Sequence, residues 1–274
     1  MFRFTVARRS TFLAVFEALE LLYHSAVRSV RGSRSNAVVG MMLNLLQVAL
    51  MLAMFIIIFD IIGARRVKIR GDFILYVMSG VFMFLIHVKT ITAVSGADGP
   101  ASGVMVHPRM NPVIAVCSAA LGVLYQNIFA NTVLLVLYHC TYKPLEIHYF
   151  PGALGMLVLS WASGFGIGLL FYALKPWSPT LLGLVTMIYT RANMIASGKM
   201  MPANMAPSER RAWFEWNPLY HTIDQARGFT FLNYDPRYTY ISYPIYCLLA
   251  CLILGLMAQF FTSKYASASW GKRS

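Results

Sequence analysis

Acidic charge is scarce in this chain. Asp and Glu supply 10 residues against 23 Lys and Arg, and charged residues make up only 12% of the whole. Soluble domains carry about twice that share. With 58% hydrophobic residues and a mean hydropathy of +0.61, a soluble fold is excluded. Cysteine is nearly missing as well. Cys117, Cys140, Cys247 and Cys251 form no C-x-x-C and no paired framework, so they read as small packing residues within or beside apolar runs. Catalytic signatures are absent too: there is no G-x-x-x-x-G-K-[ST], no H-E-x-x-H and no G-x-S-x-G. The chain therefore carries no nucleotide-binding loop of its own. Of six histidines only His139 and His148 share a short loop, too little for a metal site.

The abundant feature is length of apolar run. Six runs cover about 37–62, 73–94, 113–137, 152–174, 181–199 and 241–262. A hydrocarbon layer of roughly 30 Å asks for about 20 such residues per crossing. In lipid the backbone must satisfy its own hydrogen bonds, so unalternating runs of this length are helices, not barrel strands. The net charge of +13 invites a nucleic-acid partner, but the basic residues flank the apolar runs, where they suit membrane lipids and anionic headgroups. The predicted fold is an all-α integral membrane protein with six transmembrane helices. Residues 1–36 form a cytoplasmic or interfacial segment, 37–262 the membrane domain, 200–240 an outer-face segment within it, and 263–274 a tail.

From Thr11 to Val30 apolar residues recur close to a 3.6 period, with Glu17, Glu20, His24 and Arg28 on the other face. That pattern predicts an amphipathic helix lying along the membrane surface. Arg8-Arg9 ahead of Phe12-Leu13 faintly resembles a twin-arginine signal, but Glu17 and Glu20 interrupt the apolar stretch and no cleavage site follows. Arginines before the first run and Lys264, Lys272 and Arg273 after the last favour both termini in the cytoplasm; Arg65, Arg66, Lys68 and Arg70 count against it, partly neutralised by Asp60 and Asp72. Within the runs, Asn127 and Asn131 share a face at i,i+4 and serve either as interhelical glue or as a pore lining. Ser160, Gly164 and Gly168 make a ridge for close helix approach. His87 and Lys89, near one end of the second run, suit snorkelling. Arg191 lies deep in the fifth run and needs a partner or a wet cavity.

Between the last two runs lies Trp213–Phe231, WFEWNPLYHTIDQARGFTF. Trp216-Asn217-Pro218 breaks the chain, and His221, Asp224 and Arg227 then follow at i,i+3 steps, a spacing that suits a local ion-pair and capping network. The alternative is an acid–base couple of His221 and Asp224. Trp213, Phe214, Trp216, Tyr220, Phe229, Phe231 and Tyr234 read as an interfacial aromatic girdle.

The whole arrangement resembles the permease subunits of ABC-type polysaccharide exporters, which serve capsule, O-antigen and teichoic-acid export. The most specific piece is Trp216-Asn217-Pro218-Leu219-Tyr220-His221-Thr222-Ile223-Asp224-Gln225-Ala226-Arg227; a second is Tyr189-Thr190-Arg191 followed by Ser197-Gly198 and Pro202. The resemblance implies a homodimeric channel in the bacterial inner membrane, driven by a separate ABC-type ATPase subunit that binds the ATP, and cooperating with periplasmic and outer-membrane polysaccharide export proteins. It implies short re-entrant helices roofing the path at the outer face. Arg191, Trp213, Trp216, Tyr220, His221, Asp224 and Arg227 then become candidates for the substrate path or outer mouth, and His107, Arg109 and Asn111 for the ATPase interface. No cofactor, metal or catalytic residue is assigned to this chain. Alternatives are a drug or lipid exporter of the same architecture, or a membrane-embedded lipid-modifying enzyme using His221 and Asp224.

Overall fold

The computed structural model describes residues 20–27, 37–62, 71–97 and 112–270. Among them every regular element is helical: α1 (Ala37–Ile61), α2 (Phe73–Ser95), α3 (Pro112–Thr141), α4 (Phe150–Leu174), α5 (Pro179–Ala196), a 3-10 turn (Ala203–Met205), α6 (Ser208–Phe214), α7 (Pro218–Thr230) and α8 (Ser242–Trp270). Residues 20–27 are helical too, and Ser25 Oγ donates to Ser118 Oγ of α3 at 3.0 Å. The rest of the predicted amphipathic helix, the basic loop after α1 and most of the loop after α2 lie outside the described residues, as do His107, Arg109 and Asn111.

Five helices, α1, α2, α3, α4 and α8, are long and apolar enough to cross a membrane. Among the described residues the chain is thus all-helical, with the long apolar helices of a membrane protein. The run predicted over 181–199 does form a helix, α5, but it spans 18 residues, ends at Ala196 and includes Arg191 and Asn193. Prolines open α4, α5 and α7 in their first turn, where the missing N–H has no partner to lose.

α2 is the centre of the bundle, touching α1, α3, α4 and α7. Its start is fixed by Asp72, whose Oδ1 accepts from Ile74 N at 2.8 Å. The small-residue ridge of α4 seats on it: a Cβ at Gly164 would lie 2.7 Å from the His87 carbonyl oxygen, and one at Gly168 2.9 Å from Val94 Cβ. Ser160 Oγ donates across the same seam to the Met83 carbonyl at 2.9 Å. This close approach corrects the snorkelling expectation for His87. Its ring is fully buried, with Nδ1 at 3.0 Å from both Ser160 O and Ser163 Oγ. Lys89 also turns to a partner, its Nζ meeting Asn44 Oδ1 of α1.

α5 is the exception to tight packing. Asn193 is its single buried residue, while Leu181, Met187, Ile188 and Ile195 are each more than half exposed.

Candidate functional site

Residues 197–241 fold back on one end of the bundle, and α7 lies at their centre. Nearly every position of α7 is buried, on polar as well as apolar sides, against α4, α2 and α8. A buried polar helix is tolerable only if each group finds a partner. Asn217 begins it: Oδ1 accepts from Leu219 N at 3.0 Å, a standard cap. The same side chain reaches back to α5, Nδ2 donating to Asn193 Oδ1 at 2.7 Å and to the Ala196 carbonyl at 3.1 Å. Trp-Asn-Pro therefore ends one element, starts the next and ties both to α5.

Asp224 and Arg227 do not pair with each other as the spacing suggested. Asp224 gathers three donors from the loops: Ala203 N–H at 3.0 Å and the Tyr234 hydroxyl on Oδ1, and the Thr239 hydroxyl at 2.9 Å on Oδ2. Burial and then the carboxylate itself push the Tyr234 phenol up, so it stays a donor. Arg227 is fully buried and donates from Nη1 to the Gly198 carbonyl at 2.8 Å and from Nη2 to the Lys199 carbonyl at 2.6 Å, with its guanidinium 4.1 Å from the Tyr76 ring centroid. The turn it holds needs glycine. Gly198 has φ +68°, and a Cβ there would sit 2.5 Å from the Tyr220 ring. Lys199 points its Nζ onto the Phe84 ring at 3.3 Å, with Phe55 at 4.7 Å and no hydrogen-bond acceptor.

His221 is equally committed. Tyr240 N–H donates to Nδ1 at 3.1 Å, so the proton is on Nε2, which donates to the Glu215 carbonyl at 2.8 Å. The ring stacks on Tyr243 with centroids 4.5 Å apart. Burial lowers its pKa, while the Glu215 carbonyl and the nearby carboxylates pull the other way. With both ring nitrogens on backbone groups, His221 has no nitrogen free to couple with Asp224.

The predicted mouth residues thus separate into two groups. Tyr220, His221, Asp224 and Arg227 lie inside the α7 packing, whereas Trp213 and Trp216 are 82% and 81% exposed. The aromatic girdle narrows accordingly, since Phe231 and Tyr234 are also buried. Arg191 stands elsewhere. It lines a groove of about 440 Å³ between α5 and the ends of α2 and α4, together with Lys175, Thr186 and Thr190. Lys175 Nζ donates to the Ser95 carbonyl at 3.2 Å and brings a second cation to that groove. Two cations of the 197–241 segment are engaged elsewhere: Lys199 as above, and Arg211 on Glu215 at 3.3 Å and over the Tyr238 ring.

Lys175 escaped the sequence reading, and only the fold brings it to the groove that Arg191 lines. Asn131 was expected to act with Asn127 as glue or pore lining. Instead Asn127 Nδ2 bonds the Val123 carbonyl of its own helix at 2.9 Å, and both amide atoms of Asn131 are buried without a partner. No protein-family model matches this chain, and no curated protein matches it.

Proposed function

We propose that this chain is the transmembrane subunit of an ATP-driven exporter that moves a lipid-linked polysaccharide across the bacterial inner membrane. In this reading it works as a homodimer with a separate ABC-type ATPase subunit, and α5 is the sixth crossing. Both termini are cytoplasmic, and residues 197–241 are the re-entrant roof at the outer face. Periplasmic and outer-membrane export proteins would receive the glycan.

The observation that carries the reading is the α5 groove. A helix anchored through one buried residue flanks a largely apolar groove that carries Arg191 and Lys175. Among the described residues no carboxylate pairs with Arg191, and a cation left free beside lipid suits a phosphate or acidic sugar in passage. The apolar outer face of α5 gives a second copy something to pack on. The depth of the roof fits too. Arg227 reaches Gly80, which is seven residues into α2 and so about 10 Å below its start.

Two measurements test this. Arg191→Ala is expected to lower cell-surface glycan severalfold while membrane insertion stays intact; unchanged surface glycan overturns the path assignment. A pulldown in gentle detergent is expected to bring down an ATP-hydrolysing partner, and recovery of the chain without one removes the exporter reading.

A further inference from the structure

The best-formed unassigned site lies away from the α5 groove, between α2, α3, α4 and the C-terminal end of α7. An apolar slot of about 130 Å³ runs between Leu75, Phe82, Ile128, Leu135 and Leu157. That is the size of cavity which, lined by aliphatic and aromatic groups, takes up a six-carbon hydrocarbon. Directly adjoining it is a polar chamber of about 690 Å³, lined by Asp72, Lys143, Glu146 and His148. The two spaces share Leu75, Ile147 and Thr230 as common wall, so they are the two halves of one amphiphilic cleft.

An independent observation points to an occupant. Asn131 lines the apolar slot, is 5% exposed, and leaves both Nδ2 and Oδ1 unsatisfied. An orphan amide costs about 1–3 kcal/mol unless something brings a polar atom to it. Of the slot's hydroxyls, Thr230 and Ser79 are already spent on the Ala226 and Tyr76 carbonyls, and Thr132 makes no bond to Asn131. What answers Asn131 must therefore enter an otherwise oily slot carrying an ester carbonyl or a hydroxyl.

The chamber selects the headgroup. Lys143 Nζ stands 3.3 Å from Asp72 Oδ2, with Glu146 close by. Among the described residues of its wall, one lysine and two carboxylates offer a place for a phosphate and a place for an ammonium; a headgroup with only negative charge would leave the carboxylate that Lys143 does not pair without a partner. We infer that this cleft is a binding site for a zwitterionic membrane phospholipid of the ethanolamine class. One acyl chain enters the slot past Asn131, the phosphate faces Lys143, and the ammonium faces Glu146 and Asp72. A bound lipid would staple α2, α3 and α4 to the end of α7, where the His148 and Tyr149 amides donate to the Thr230 and Phe229 carbonyls.

The test uses the full chain purified in mild detergent and offered equal amounts of dioleoyl phosphatidylethanolamine and dioleoyl phosphatidylglycerol, with retained lipid counted by native mass spectrometry. The wild type is expected to keep the ethanolamine lipid about tenfold over the glycerol lipid, and to unfold at higher temperature with the former only. Leu154→Trp, which plugs the slot from a half-exposed position, and Lys143→Glu, which removes the phosphate partner, are each expected to lose about tenfold in retained ethanolamine lipid. Equal retention of the two lipids by the wild type overturns the headgroup assignment. Unchanged retention in both variants overturns the site. Should a variant unfold on its own, the lipid-specific thermal shift of the wild type decides, since its absence is equally fatal.

Discussion

Arg227 is the residue on which the 197–241 segment closes. It is fully buried, and its two bonds run to consecutive carbonyls of a turn that only a glycine at 198 can make. Lysine keeps the charge but brings a single nitrogen, so one carbonyl loses its donor. Arg227→Lys is therefore expected to lower stability by about 1–3 kcal/mol, read as a drop in the thermal midpoint of the solubilised protein. A midpoint equal to wild type would show that the fork is dispensable. His221 sets a pH dependence of definite sign. Burial holds its pKa below the ordinary value near 6.5, so as pH falls the unfolded chain takes up the proton first. The stability contributed by the neutral ring is whole above about 6.5 and drains away as pH drops toward the folded-state pKa. The thermal midpoint is expected to fall between about pH 7 and pH 5, and His221→Gln to flatten that slope; parallel slopes would assign the acid lability to other groups.

Among the elements, the long apolar helices were legible from run length alone, because in lipid a run of that length has one way to satisfy its backbone. The ridge Ser160–Gly164–Gly168 was legible for a similar reason: small residues four apart allow one kind of contact. α7 was not. Its i,i+3 spacing of His221, Asp224 and Arg227 suggested a self-contained network, but its partners come from Glu215 and from residues 198–203 and 234–240, and spacing within a helix carries no information about those. Half-polar composition looked interfacial, yet the partners allow it to be buried throughout. Asn217 joins two elements and its loss should be felt in both. Asn217→Ala removes the α7 cap and two bonds to α5, and is expected to cost about 1–2 kcal/mol. It should also raise hydrogen exchange at the end of α5. Faster exchange in α7 alone would mean that α5 is held by something other than this tie.

At the scale of the molecule the proposed six-crossing topology fixes sides. Starting from cytoplasmic termini, the loop 142–149 and the whole 197–241 segment face outward, with α5 crossing between them. Single cysteines placed at Glu146 and at Trp216 in a cysteine-free background are expected to react with a membrane-impermeant thiol reagent applied from outside. Labelling of Glu146→Cys without Trp216→Cys would put the two loops on opposite faces and remove α5 from the crossings. The membrane class and helix runs were readable from composition. The groove shared by Lys175 and Arg191, and the cleft at Asn131, arise where separate helices meet and leave no periodic trace.

The double grip of Asn217 also has a mechanical meaning. One side chain both starts α7 and holds the last turn of α5, so α5 cannot swing away at that end without uncapping the helix beside it. Its opposite end, near Pro179, is joined to α4 by a short turn in which Trp177 Nε1 donates to Thr262 Oγ1 of α8 at 2.9 Å. α5 is thus tied at both ends with one buried residue of its own, so the groove at Arg191 widens by a bowing of the helix and not by a swing.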